Sequence, residues 1–265
     1  MEIQNNLNVQ NPEIQEAAFK RVFSSSLNNA TDIQLVFASL QNDLAASNKE
    51  LAREKINGIK ENQAKSKEIT EAVVSLRNAM SGLKEDDTVK GEKIQNFEKI
   101  IQTCNDLGIK LPIGDAELSA LKNLKAAKDS AVERGVGVEV AEINDIKGIR
   151  NMLRNSDINF NTKHYPNYKT ISTRDLFGVN NIGWKTVSTD DVQELMDNIM
   201  KGMKLKVADL NLTITSLQNM QETIGSDVQQ EMLLIQDMMS KVSSYTQGAA
   251  SAINKSGDTL NAILR

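Results

Sequence analysis

The final 77 residues, Thr189 to Arg265, contain no proline and carry apolar side chains at three- and four-residue spacing. Drawn as one continuous helix they would span roughly 115 Å at about 1.5 Å per residue. A compact globular core has no use for such a rod, so the spacing predicts an elongated protein. Composition agrees with that. Charged residues make up 25% of the 265-residue chain but aromatics only 4%, and seams between long helices take Leu, Ile, Val and Met in preference to rings. A net charge of -4 argues against nucleic acid or an anionic membrane as the main partner.

The three prolines, at 12, 112 and 166, leave a second long proline-free stretch. It opens at Thr31, which with Gln34 has the form of a capping box. Apolar residues follow at Ile33, Phe37, Leu40, Leu44 and Leu51. The pattern skips near Ile56 and resumes at Ile59, Ile69, Val73, Leu76, Met80 and Leu83. Between Lys49 and Glu71 lie six basic and five acidic residues, the composition of a solvated helix face. Lys84 to Gly91 reads as a turn. A helix is expected over Glu92 to Leu107, closed by Gly108, and another over Ala116 to Arg134, capped by Asp115 and stopped at Gly135. Val138-Glu-Val140 is compatible with a short strand or with the start of a helix that ends near Asn155. Residues 157–188 hold Trp184, His164, Pro166 and two of the three tyrosines. Thr170-Ile-Ser and Gly183-Trp-Lys-Thr-Val there have strand composition. Ser188 or Thr189 with Asp190 and Asp191 then makes a strong helix start.

From Met203 the last helix has a seam at Met203, Val207, Leu210, Ile214 and Leu217, continuing through Ile224, Val228, Ile235, Met238, Val242, Tyr245 and Ala249. Steps of four and three place these on one stripe and require a partner helix. Only residues 31–84 are long enough to supply it, in parallel or antiparallel sense. Gln221 and Glu231 interrupt the seam, weakening the pairing while fixing its register. Seven of the ten methionines lie in 196–239, and thirteen of the 23 residues from Ser240 to Ala262 are Ser, Thr, Gly or Ala. A helix of small residues with an apolar end at Leu260, Ile263 and Leu264 is expected to order against neighbours.

Chemistry is not legible. Cys104 is the sole cysteine and His164 the sole histidine. Gly135-Val-Gly137 lacks the Gly-Lys-Ser/Thr of a phosphate loop. Asp86-Asp87 reads as a turn and Asp190-Asp191 as a helix cap. The sequence therefore carries no enzyme, cofactor or metal reading. No run approaches the ~20 apolar residues of a membrane span. Met1 to Asn11, with six Asn or Gln, is no cleavable secretory signal. The chain is thus expected to be cytoplasmic, or exported by a route that uses no such signal.

The run Asp227-Val-Gln-Gln-Glu-Met232-Leu-Leu-Ile-Gln236-Asp-Met-Met-Ser-Lys241, followed by Tyr245 and Ser251-Ala-Ile-Asn254, resembles the C-terminal helix of type III secretion needle-tip proteins. These are the hydrophilic translocators of the V antigen and invasion plasmid antigen D group. Leu210-Asn211 and Trp184 upstream look similar too, so the likeness covers about a fifth to a quarter of the chain. The resemblance implies export without a cleaved signal, with residues 1–30 as a flexible N-terminus bearing the export signal. It implies a secreted protein at the bacterial cell surface, capping the needle and supporting insertion of hydrophobic translocators into a host membrane. Its partners would be the needle subunit, the translocators and further copies of itself, with no nucleic acid and no direct membrane span. The implied fold is mainly α: a long intramolecular coiled coil of two helices, 31–84 and 189–265, with a smaller α or α/β region inserted over 85–188. The assembly interface is expected at Gln236, Met239, Lys241, Tyr245, Asn254, Leu260 and Leu264. The chain departs from many tip proteins in having only about thirty residues before Thr31. That leaves a needle-extending filament subunit or a flagellin-like subunit as the alternative. A pore-forming helical toxin would need an apolar segment able to enter a bilayer, and none is visible.

Overall fold

The computed structural model describes residues 33–165, 168–180 and 184–263. The expected export segment 1–30, the Thr31 cap, Pro166, Gly183 and Leu264 lie outside them. Among the described residues the chain is mainly helical, with seven α-helices and six short strands. Two helices dominate, α1 (Ile33–Met80) and α7 (Val207–Ile263). Between them come β1 (Thr88–Lys90), α2 (Phe97–Asp106), α3 (Asp115–Arg134), β2 (Val138–Glu139), α4 (Ile146–Asn155), β3 (Thr162–Tyr165), β4 (Tyr168–Ser172), α5 (Thr173–Leu176), β5 (Thr186–Val187), α6 (Thr189–Gly202) and β6 (Lys204–Lys206). Contacts divide the described chain into two units, 33–66 with 223–263, and 67–222.

The single helix expected from Thr189 onward is divided. α6 starts as anticipated, with a capping box in which the Ser188 hydroxyl accepts from the Asp191 N–H while the Asp191 carboxylate accepts from the Ser188 N–H. It stops at Gly202, because Met203 turns extended (φ -61°, ψ 142°) and feeds Lys204–Lys206 into an antiparallel ribbon with β1. Strand pairing overrides helix periodicity for those residues, and α7 begins at Val207. The same ribbon corrects the expected turn at 84–91, whose second half is β1.

α7 packs against α1, and the two run antiparallel. In the 67–222 unit, the Gln221 amide donates to the Thr70 hydroxyl (2.9 Å), so the first expected interruption is a cross-helix hydrogen bond. Ile69, Val73 and Leu76 of α1 and Leu210, Ile214 and Leu217 of α7 are buried there as the spacing predicts. In the 33–66/223–263 unit, Lys55 meets Glu231 (3.3 Å), and Ala38 clusters with Ala249 and Ala252.

This second unit holds a correction. The expected α1 stripe of Phe37, Leu40, Leu44 and Leu51 is not the buried one. Ala38, Ala45, Ala52 and Ile59 are buried, at strict seven-residue spacing, while Phe37 is 46% exposed and the three leucines are half-buried. The repeat therefore runs through Ile56 without a skip. Small residues let two helix backbones approach closely, and weighting the pattern by large side chains finds the flanking row instead.

The rest of the 67–222 unit is built on α6, against which α3 packs. α3 terminates at Gly135, whose left-handed φ of 67° is inexpensive only for glycine. One local architecture occurs twice. β1, a 3₁₀ turn (Gly91–Lys93) and α2 are matched by β2, a 3₁₀ turn (Val140–Glu142) and α4. In each copy a non-glycine residue in left-handed conformation precedes the helix, Asn96 (φ 54°) and Asp145 (φ 51°). Val89, Ile94, Ile100 and Cys104 correspond to Val138, Ile143, Ile149 and Leu153, all buried. The first copy pairs with β6, just after α6, and the second with β5, just before it. The bonds that extend the ribbons also match, Gly91 N–H to Met203 O and Val140 N–H to Lys185 O, both 2.9 Å. The open reading of Val138-Glu-Val140 thus resolves as a strand and a 3₁₀ turn before a separate helix.

Candidate assembly surface

Chemistry has little foothold among the described residues. No group of three or more His, Cys, Asp or Glu side chains is placed to hold a metal ion. Burial pushes the Cys104 thiol up to about 12, so it stays protonated and unreactive. A groove of about 650 Å³ is lined by Phe97 and Met200 and by residues of both charge signs, Glu71, Lys99, Lys125 and Asp197 among them. No set of groups converges in it. The densest polar cluster joins Lys163 on β3 to Asp191 and Glu194 on α6 at 2.5 Å each. Burial works to raise the Asp191 and Glu194 pKa values, but hydrogen bonds from Lys163 and Ser188 to the one and from Lys163, Asn161 and Thr173 to the other, together with the Lys163 charge, outweigh it and hold both below the usual range. Burial works to lower that of Lys163, and the two carboxylates outweigh it in turn. Such mutual saturation clamps a hairpin to a helix and leaves no group free to react.

α7 is more informative. Between residues 223 and 263 its seam toward α1 holds positions 224, 228, 231, 235, 238, 242, 245, 249, 252 and 256, every one buried or half-buried. The large members Val228, Ile235, Met238, Val242 and Tyr245 are only half-buried. The row that α1 buries in this unit includes Ala38, Ala45 and Ala52, small side chains that offer little surface. Glu231, the second expected interruption, gives one oxygen to Lys55, while Oε2 is buried with no partner, beside Gly58.

A second stripe runs along the same helix, one residue on from the first in each repeat. Positions 229, 232, 236, 239, 243, 246, 250, 253, 257 and 260 recur in steps of three and four, and all are exposed. They are Gln, Met, Gln, Met, Ser, Thr, Ala, Ile, Gly and Leu, with no charge among them. Met232, Met239, Ile253 and Leu260 are 50%, 49%, 48% and 55% exposed. A solvated helix face carries charges, as the Lys49–Glu71 stretch does, whereas an uncharged three–four stripe has the form of a helix-packing seam.

The expected interface residues distribute unevenly over these faces. Gln236, Met239 and Leu260 fall on the second stripe. Asn254 is exposed beside it. Lys241 is half-buried and paired to Asp237 (2.9 Å), and Tyr245 belongs to the seam with α1. Leu264 lies outside the described residues. Sequence reasoning missed Met232 and Ile253. Their signal was present in the seven-residue recurrence of 232, 239, 253 and 260, and following a single stripe hid it. No protein-family profile, no curated protein and no solved structure matches this chain.

Proposed function

We propose that this chain is a needle-tip protein of a type III secretion apparatus, capping the needle and supporting insertion of hydrophobic translocators into a host membrane. The work done is assembly, not catalysis. Needle subunit, translocators and further copies of the chain are its partners, and its site of action is the bacterial cell surface. The observation that carries this reading is the two-sided α7, with one seam on α1 and an uncharged, exposed stripe beside it. In this reading α1 and α7 form an intramolecular coiled coil, and residues between them are the inserted α/β region. The likeness of Asp227–Lys241 to tip-protein C-terminal helices names the apparatus.

Electron microscopy of secreting cells tests it, with gold-labelled antibody to this chain. Label at needle ends, lost on deletion of the coding sequence together with translocator insertion, is the expected result. Label along the whole length, or long fibres of purified protein in negative stain, would establish the alternative filament subunit. Lysis of liposomes by the purified chain alone would sink both in favour of a pore former.

A further inference from the structure

We infer that one end of the β1–β6 ribbon, around Lys90 and Lys204, is a docking surface for an acidic segment of a partner polypeptide. The inference does not rest on the needle-tip reading, and its observations lie wholly within the 67–222 unit. The ribbon's register sets Lys90 opposite Lys204 and Thr88 opposite Lys206. Bonds from the Gly91 N–H to the Met203 carbonyl (2.9 Å) and from the Val207 N–H to the Asp87 carbonyl (3.0 Å) fix the phase of the ladder. Lys90 and Lys204 therefore form a non-hydrogen-bonded pair, in which Cα atoms stand about 4.5 Å apart and side chains come closest. Val89 and Leu205 between them are buried, so both lysines share the outer, exposed face. Like charges set directly opposite one another destabilise a sheet.

The β2–β5 ribbon is a control within the same molecule. It has the same phase, fixed by the bond from the Val140 N–H to the Lys185 carbonyl, and its equivalent pair is Glu139 opposite Thr186. The architecture thus does not require two facing lysines, and their cost calls for a role outside the fold. Two more exposed lysines stand by: Lys93, in the 3₁₀ turn after β1, and Lys201, at the end of α6 just before β6. Among the described residues only Glu92 pairs with this group, on Lys90 at 3.6 Å, with both side chains more than half exposed. Lys93, Lys201 and Lys204 make no ion pair there. The acidic run Glu85-Asp-Asp87 precedes the other end of the ribbon, where Thr88 meets Lys206.

The patch also adjoins a concavity. Glu92 and Lys201 line the same groove as Phe97 and Met200. A peptide can set carboxylates on the lysines and an apolar side chain in that groove, which a phosphate backbone cannot. The net charge of -4 disfavours an extended polyanion such as nucleic acid or an anionic membrane. A short acidic segment meets only the local charge, within a Debye length of about 8 Å.

Fluorescence anisotropy of a labelled glutamate-rich peptide containing one leucine, titrated with the full chain, tests the inference. Saturable binding that weakens as salt rises is expected. Lys204→Thr, which copies the β2–β5 pair, should weaken binding about threefold. It should also raise the urea midpoint, and that gain should fade in high salt, because salt screens the repulsion the variant removes. Lys185→Thr, at an exposed lysine beside the other ribbon, should leave the affinity unchanged. No saturable binding, unchanged affinity in Lys204→Thr, or an equal loss in Lys185→Thr would overturn the proposal. So would a midpoint that falls, or a rise that persists in high salt. Tighter binding of duplex DNA or of phosphatidylserine vesicles than of the peptide would overturn the class of partner.

Discussion

Glu231→Leu should stabilise the helix pair, although it removes an ion pair. The carboxylate sits at a seam position between Val228 and Ile235, with Oε2 buried and unpartnered and Oε1 3.3 Å from a Lys55 side chain that is 42% exposed. An ion pair so open to solvent contributes at most about 0.5–1 kcal/mol. Removing the unpartnered oxygen recovers about 1 kcal/mol. A leucine there, half-buried like its neighbours, adds about 1 kcal/mol from the apolar-area scale. Gly58 leaves space on the facing helix, since even a Cβ on it would stand 3.6 Å from the Glu231 carboxylate, an ordinary contact distance. The net is roughly 1–1.5 kcal/mol of stabilisation, which slows opening of the pair up to about tenfold. Amide hydrogen exchange followed by mass spectrometry reads this locally, through peptides from 34–59 and 223–256. Slower exchange in both, with peptides from 115–200 unchanged, is expected. Faster exchange would refute the packing described for this seam.

Three further outcomes follow from the 67–222 unit. A Cβ on Gly91 would stand 1.8 Å from the Met200 carbonyl oxygen, which is backbone and cannot yield. Gly91→Ala should therefore cost at least about 2–3 kcal/mol, seen as a lower urea midpoint. Asn96→Gly should be neutral or slightly stabilising, since it relieves a left-handed strain of about 1–2 kcal/mol. Asp145→Gly should gain less, because the Asp145 carboxylate also caps the Gly148 N–H (3.1 Å); equal midpoints for the two variants would contradict the cap. Lys163→Met should cost about 1–2 kcal/mol at neutral pH. Asp191 and Glu194 have depressed values, so their contribution is full above the unfolded carboxyl range of about 4 and fades as pH falls through the folded values. That of Lys163 is raised, so its contribution is full below about 10.4 and fades as pH rises through the folded value. The cost of the variant should thus shrink towards strong acid and strong alkali, and a cost independent of pH would contradict the clamp.

Much of the helical frame was legible because burial follows spacing where side chains are large. The seam from Val207 to Ala249 lies where its periodicity predicts, as do the Ser188 cap and the stop at Gly135. Two failures have physical causes. Alanine carries little hydrophobic signal, so Ala38, Ala45 and Ala52 were passed over for the larger Phe37, Leu44 and Leu51 on the flank. Lys204–Lys206 follows the apolar period of a helix, and only its distant partner Thr88–Lys90 makes it a strand. The doubled strand–turn–helix was written in the sequence at an offset of 49, Val89 to Val138 and Ile94 to Ile143. Its shared left-handed residue is a matter of dihedral angles, which Asn96 and Asp145 do not announce. Of the expected interface residues, Gln236, Met239 and Leu260 fall on the exposed stripe and Asn254 beside it, whereas Lys241 and Tyr245 are half-buried, because following a single apolar stripe does not separate the two faces of the helix.

The methionines offer the most direct measurement of the central claim, that α7 completes its packing on assembly. Met232 and Met239 lie on the exposed stripe, whereas Met196 is 1% exposed within the 67–222 unit. Peroxide oxidation of each, followed by mass spectrometry, compares isolated monomer with protein assembled on purified needles. Oxidation of Met232 and Met239 should be fast in the monomer and strongly slowed on the needle, with Met196 slow in both. Equal rates for Met232 and Met239 in the two states would contradict the account.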